Sequence, residues 1–357
     1  MKFEDVAQRY DNFYSPRYQI LVEGKDVLTD HFMEVINVSF EESIDGFQRF
    51  SFAVSDPQSK WLDKGIFKPG KIVKINMGYV NHLTTMTVGE IISLSSSFPS
   101  SGTPQLEVSG YDLSYQLTRA NQNKTWPKDG VSGVRASEIV KELLDDPVVK
   151  HKLKATITQT DTLPTIVQNG QTHYKFIKKL ADENFFDFHI KEDLVCFGPA
   201  KENAEVAELK YGNSLLSFSP ELNTANQVSS VAVIGYDPKT KKAIIGKAAK
   251  KPGKTGKSGA AATEQFFGNV ELKVTNRHIA NQQQAKTLAQ SILEKSSVGL
   301  VRGSATSIGI PEIRAGATIK LTKLGQTFSQ KYFIEKAKHS ISTSGYNTSF
   351  NVRGDFS

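Results

Sequence analysis

The feature that most constrains this chain is a weak internal repeat. Lys68-Pro69-Gly70-Lys71-Ile72-Val73-Lys74-Ile75 lies opposite Arg314-Ala315-Gly316-Ala317-Thr318-Ile319-Lys320-Leu321, each a glycine turn followed by an alternating strand. Each segment then meets a second glycine (Gly78, Gly325), an acid on the next strand (Glu90, Glu335) and a Ser-rich stretch (Ser93–Ser97, Ser340–Ser344). Each closes on a strand ending at Gly110 or Gly354, so first and last glycines are 40 residues apart in one copy and 38 in the other. Glycine turns and alternation are common to all barrels. The agreement in their order is not, and it predicts two similar β-barrel modules.

The local patterns fit that frame. Short alternating runs at Tyr18–Val22, Val35–Ser39, Phe50–Val54, Ile72–Met77, Thr85–Leu94 and Gln105–Ser109 are separated by Gly, Pro, Ser and Asn, which predicts a first β-barrel over residues 1–120. Helical spacing appears at Ala136–Leu144 and Thr172–Glu183, with strands at Phe186–Ile190 and Leu194–Phe197, so 121–208 reads as a small α/β insert. Strands resume at Leu215–Leu222, Gln227–Tyr236 and Lys242–Gly246, with a turn at Asp237-Pro238-Lys239-Thr240. This assigns 209–247 to the first part of a second barrel. Residues 248–297 read as a basic linker and a helix, Asn281–Ser296, and strands at Gly299–Ile308, Thr318–Leu321, Tyr332–Lys338 and Ser349–Arg353 place the rest of the second barrel in 298–357. The fold class expected is therefore mainly β with α+β insertions.

Composition excludes several classes. The 357 residues carry 44 Lys and Arg against 37 acids, a net charge of +7. Five of the lysines sit between Lys247 and Lys257, a segment without an acid, so the excess describes one loop rather than a nucleic-acid-binding surface. One cysteine, Cys196, rules out an internal disulfide and a multi-cysteine zinc site. The N-terminus has no apolar signal region, and no run reaches the length of a membrane helix.

No catalytic pattern in the sequence is complete. Gly253-Lys254-Thr255 and Gly256-Lys257-Ser258 lack the glycine that a phosphate loop needs five positions upstream, so no nucleotide cofactor is expected. The seven histidines form no His-Glu-x-x-His, and the pairs His31/Glu34, His189/Glu192 and Glu335/His339 fall short of a ligand set; no metal site is expected. His173 and His189 read as polar turn and strand residues. Glu41-Glu42 and Asp145-Asp146 read as surface carboxylates, and Cys196 as a buried, inert thiol. Phe50/Phe52 and Phe186/Phe188 read as core rather than as base-stacking platforms, because no basic residues interleave with them. No catalytic residue is assigned, and the chain is read as a non-enzyme.

Val167-Gln168-Asn169-Gly170-Gln171-Thr172-His173-Tyr174-Lys175-Phe176-Ile177, continuing through Leu180-Ala181-Asp182-Glu183-Asn184 to Phe188, resembles the motif of phage late control gene D proteins and of the hub portion of VgrG proteins. Phe176-Ile177 varies the family's Phe-Leu pair, and Phe185 stands where the family commonly has glycine. The resemblance implies a trimeric baseplate hub of a contractile, phage-tail-like injection system. In such hubs two barrels per chain give a pseudo-sixfold ring that joins a hexameric inner tube to a threefold spike. Implied partners are two further copies, the spike protein, inner-tube proteins and baseplate wedge proteins. The chain would be cytoplasmic during assembly and then part of the particle. A cell-wall hydrolase attached to such a hub, or a nucleic-acid-binding barrel, are the alternatives. Because the chain ends with the second barrel, the spike is expected to be a separate protein.

Overall fold

The computed structural model describes residues 3–80, 82–130, 132–184, 186–191, 194–199, 205–223, 228–237, 241–249, 270–275, 282–297 and 301–354. After a short helix, α1 (Phe3–Arg9), the first module contains β1 (Pro16–Val22), β2 (Lys25–Asp26), β3 (Val35–Ser43), β4 (Arg49–Ser55), helix α2 (Lys60–Asp63), β5 (Ile72–Tyr79), β6 (His82–Ser97) and β7 (Gln105–Asp112). Alternation drives it: Val38, Phe40, Phe50, Phe52, Leu106 and Val108 are buried on one face, while Ser39, Ser51 and Ser109 point the other way.

The middle of the chain adds β8 (Gln122–Trp126), β9 (Val134–Arg135), α3 (Ala136–Leu144), β10 (Lys154–Ile157), β11 (Thr162–Leu163), β12 (Ile166–Gln171), α4 (His173–Glu183), β13 (Phe186–Lys191) and β14 (Leu194–Pro199). Thr172 caps α4, its Oγ1 accepting the Lys175 N–H at 3.3 Å. Ile139, Val140, Leu143 and Leu144 of α3 meet Phe176, Ile177, Leu180 and Ala181 of α4 in a core of their own with Trp126, Val195 and Phe197. Phe185 of the resemblance motif lies outside the described residues.

The last part contains β15 (Glu205–Lys210), β16 (Leu215–Leu222), β17 (Ser230–Asp237), β18 (Lys242–Ala249), β19 (Glu271–Thr275), α5 (Gln282–Ser297), β20 (Val301–Ile308), β21 (Thr318–Thr322), α6 (Gly325–Phe328), β22 (Lys331–Ser342) and β23 (Gly345–Gly354). Sequence pattern assigned 209–247 to the second module. Strand pairing takes the chain out of the main sheet after β16: β17 lies between β18 and β19, and Val231 and Val233 pack on Ala285, Ala289 and Leu293 of α5. The turn at 238–240 and the Lys/Gly/Ala-rich stretch from 250 to 265 lie outside the described residues.

Strand pairing carries the repeat further than the sequence could. The first module runs in the order β3-β4-β7-β6-β5-β1 and the second in the order β16-β20-β23-β22-β21-β15. Each strand of one order takes the place of its counterpart in the other. The one difference in direction is that β1 is antiparallel to β5 while β15 is parallel to β21. The hydrogen bonds match as well. Gly70 N–H donates to Ile91 O and Ile91 N–H to Lys71 O, both at 2.9 Å; Gly316 N–H donates to Ile334 O at 2.8 Å and Ile334 N–H to Ala317 O at 2.9 Å. Both glycines hold φ near +90° (93° and 85°), a conformation that a side chain disfavours.

The irregularities are duplicated too. Registers shift between Ile91 and Ser93 and between Ile334 and Lys336, and again between Val35 and Asn37 and between Leu215 and Ser217. Bulges at matching positions are built-in features that re-aim a strand. They also correct the alignment of the repeat. Ile91 corresponds to Ile334, so Glu335 sits at the bulge position of Ile92 and does not correspond to Glu90. Gly110, opposite Ile91, corresponds to Val352 rather than to Gly354. Sequence alignment drifted because the β5–β6 hairpin is longer than the β21–β22 hairpin.

The modules are continuous. β22 pairs with β3 from Lys336↔Ser43 to Ser342↔Asn37, making one 13-stranded sheet, and the buried side chains of both halves form a single cluster.

Candidate assembly surface

Eight strands, in the order β16-β20-β23-β22-β3-β4-β7-β6, cross both modules without interruption. One face carries the core. The other carries Ser217, Ser219 and Glu221, then Arg302, Ser304 and Thr306, then Ser349 and Asn351, then Lys336, Lys338 and Ser340, and on to Ser39, Glu41, Ser51, Ser109, Ser93 and Ser95. Short hydroxyls dominate. Ser39 and Ser51 bond across β3 and β4 at 2.9 Å, and Lys336 reaches Glu41 at 2.6 Å across the module boundary. A face of this kind offers hydrogen bonds and little apolar surface.

The boundary between modules is held from the core side. Arg314, just before β21, grips Glu42 of β3 with Nε at 2.6 Å and Nη2 at 2.8 Å, and Glu42 also accepts the Ala315 N–H at 2.8 Å. The same guanidinium donates to Met86 O at 3.0 Å and lies 4.8 Å from the Phe40 ring. Tyr79 of β5 donates to Gly309 O at 2.8 Å, and its ring centre lies 5.5 Å from that of Tyr346. Burial drives the Tyr79 and Tyr346 hydroxyls far above the ordinary phenol range, so both stay protonated and serve as donors. His339, fully buried, faces Ile313 O through Nε2 at 2.9 Å, which requires the proton on that nitrogen; Nδ1 then accepts from Tyr346 Oη (2.9 Å) or Thr348 Oγ1 (3.0 Å). Burial, and secondarily the Arg314 charge, hold it down to about 3.

Several residues singled out in the sequence sit elsewhere than expected. Glu42 is buried under Arg314 and is no surface carboxylate; the i,i+1 alternation of a strand sends Glu41 out and Glu42 in. Asp146 is likewise mostly covered. It accepts from Lys124 at 2.5 Å and lies 3.4 Å from His173 Nε2. Burial alone would raise Asp146, but the hydrogen bonds from Lys124 and the Val148 N–H bring it below its ordinary value. His173 is not a polar turn residue: it opens α4, is 1% exposed, and is lowered chiefly by burial. Cys196 is half-buried in β14. Glu335 pairs with Arg353 at 3.3 Å; it shares β22 with His339, and four residues of strand hold the two about 13 Å apart. Among the described residues no three His, Cys, Asp or Glu side chains converge as a metal site, and no helix is long and apolar enough to cross a membrane.

The family model described as the Alg8 N-terminal domain matches residues 15–343. The chain belongs to this family. That description names a domain and no activity. No curated protein matches the sequence. Among solved structures, the chain is similar to the 43 kDa tail protein of prophage MuSo2 from Shewanella oneidensis, with a TM-score of 0.70 at 14% identity over 95% of this chain and 98% of that one. It is similar to a tail protein of Neisseria meningitidis MC58 (TM-score 0.67, 15% identity, 95% and 97% covered). It also resembles the Escherichia coli c3393 protein, a component of the type VI secretion system described as structurally similar to the T4 tail proteins gp27 and gp5 (TM-score 0.53, 12% identity, 95% and 77% covered). The fold is therefore that of phage tail proteins: mainly antiparallel β with one large sheet.

Proposed function

We propose that this chain is the structural hub of a contractile phage-tail-like injection particle. Three copies would form a ring that joins the inner tube to the spike and nucleates the baseplate. The observation that carries the reading is the shared six-strand order with its two matching bulges. A module that occurs twice per chain lets three chains present six alike surfaces to a sixfold tube and a threefold opposite face to a spike. Each six-strand module would close as a barrel, and the Ser-rich face would line the lumen, where small neutral hydroxyls suit the passage of cargo. The resemblance of Val167–Phe188 to late control gene D and VgrG hubs points the same way, as does the shared fold. Tube, spike and wedge proteins are the partners proposed, and the role is structural rather than catalytic.

Native mass spectrometry of the purified chain, alone and with its spike partner, tests this. Three copies of the 39.4 kDa chain are expected in at least one of the two samples. A monomer in both would refute the hub.

A further inference from the structure

The positive charge of this chain is concentrated in one part of it. The stretch 228–297 holds 12 of the 44 Lys and Arg but only 4 of the 37 acids, a net charge of +8, so the rest of the chain nets −1. Eleven of those 12 cations are lysine, and eight of them fall between Lys239 and Lys257 with no acid among them. The same stretch supplies β17, β18, β19 and α5. Among the described residues these strands pair only with one another, and their core is separate from the other two. A small unit that carries the whole positive balance is set up to meet an anionic partner.

Its sheet has two unlike sides. Val231 and Val233 face α5, and so does Gly246, where a Cβ would meet Ala285. Alternation turns Ile234 and Tyr236 of β17 and Ala243, Ile245 and Lys247 of β18 to the other side, with Ile234 directly across from Ile245 and Tyr236 across from Ala243. On β19 that side carries Glu271, Lys273 and Thr275. Tyr236 is 54% exposed and Ile245 45%, and among the described residues neither belongs to any of the three cores. Lysines stand at both ends of this apolar patch. Lys241 and Lys242 are exposed beside the Tyr236 end. Lys247 and Lys273 flank Ala232 at the other end and share Glu271 at 3.5 and 3.7 Å, so one carboxylate faces two ammonium groups.

We infer that this side of the β17–β18–β19 sheet docks on an anionic lipid bilayer, with Tyr236, Ile234 and Ile245 at headgroup depth and the lysines against lipid phosphates. The unit lies on the bilayer and does not cross it. This goes beyond the hub reading and needs no particular number of copies. A bilayer fits better than an acidic protein, because protein interfaces favour arginine and are depleted of lysine. It also fits better than a nucleic acid. Phosphates alone would suit the lysines, but bases stack on aromatic rings, and the patch offers two isoleucines and a single tyrosine. A headgroup layer takes every part of the patch: tyrosine at the interface, isoleucine just beneath, and lysine stems along the apolar surface with their ammonium groups at the phosphates.

Sedimentation of the full chain with vesicles tests this, using phosphatidylcholine alone or mixed with one-third phosphatidylglycerol. At low salt the chain should bind the mixed vesicles about tenfold better, and high salt should release it. Tyr236→Ser with Ile245→Ser should weaken that binding about tenfold, and Lys241→Gln with Lys242→Gln and Lys247→Gln about as much. Phe98→Ser, which removes a 66% exposed ring from the β6–β7 hairpin, should change nothing. Tyr236→Trp gives a reading that does not rest on lost affinity. Its emission should shift to the blue on mixed vesicles, since Trp61 and Trp126 are already buried. No binding, equal binding to both vesicles, an unshifted emission, or a loss from the lysine variant alone would overturn the proposal. Binding of a DNA duplex or of poly-glutamate that the Tyr236→Ser, Ile245→Ser variant loses would assign the face to that partner and overturn the lipid reading.

Discussion

Removing Arg314 should loosen the whole β-structure at once. Its guanidinium supplies both strong bonds to Glu42, caps Met86 O and covers Phe40, and Glu42 is 6% exposed. After Arg314→Ala the carboxylate keeps the Ala315 N–H and loses both charge-assisted bonds, leaving a buried charge without a counterion. Breaking one side of such a pair costs about 3–5 kcal/mol. Arg314→Lys keeps the charge but not the fork, and should cost about half as much. Replacing both partners, as in Glu42→Leu with Arg314→Met, should recover most of the loss, because no charge is then stranded. Urea unfolding followed by tryptophan fluorescence and by circular dichroism reads these values. Trp61 lies in the core shared by both modules and Trp126 in the core of the insert, so in a Trp126→Phe background both probes should shift together. A loss below about 1 kcal/mol for Arg314→Ala, or a double variant no better than the single, would show that the pair is not the clamp described.

Acid should weaken the same core. His339 titrates near 6.5 when unfolded but is held to about 3 when folded, so its contribution is complete above 6.5 and is lost as pH falls toward 3. The unfolding midpoint should fall through that window, at a limiting slope of about 1.4 kcal/mol per pH unit. His339→Gln should flatten the slope, and an unchanged slope would contradict the assignment. Gly246→Ala should detach α5 selectively, because a Cβ there would stand 2.1 Å from the Ala285 carbonyl carbon. Hydrogen exchange should then quicken in α5 and β18 with β22 and β23 unchanged, at a cost of about 1–3 kcal/mol. On a peptidoglycan zymogram the chain should leave no clearing; a cleared band would favour the hydrolase alternative.

The elements with strong periodicity were legible. Ala136–Leu144 and Leu215–Leu222 begin and end where hydrophobic spacing put them, because each buries one clean face or lies between clear turn residues. The duplication was legible in outline through Gly70 and Gly316, whose backbone conformation demands glycine. Its register was not, since a bulge leaves no residue signature and the hairpins differ in length. The buried roles of Glu42, Asp146 and His173 were hidden for a related reason. Their partners, Arg314, Lys124 and Asp146, lie well beyond one turn or hairpin in sequence, and local pattern cannot pair a carboxylate with a cation 272 residues away. β15 was missed because its partner β21 lies more than a hundred residues on and packs parallel to it.

One measurement bears on the central claim most directly: the rotational symmetry of the purified assembly in end-on cryo-electron microscopy averages. The account predicts a sixfold component from the paired β-modules and a threefold one from the parts that occur once per chain, the insert between β7 and β15 among them. A ring with no sixfold component, or particles lacking threefold symmetry, would contradict it.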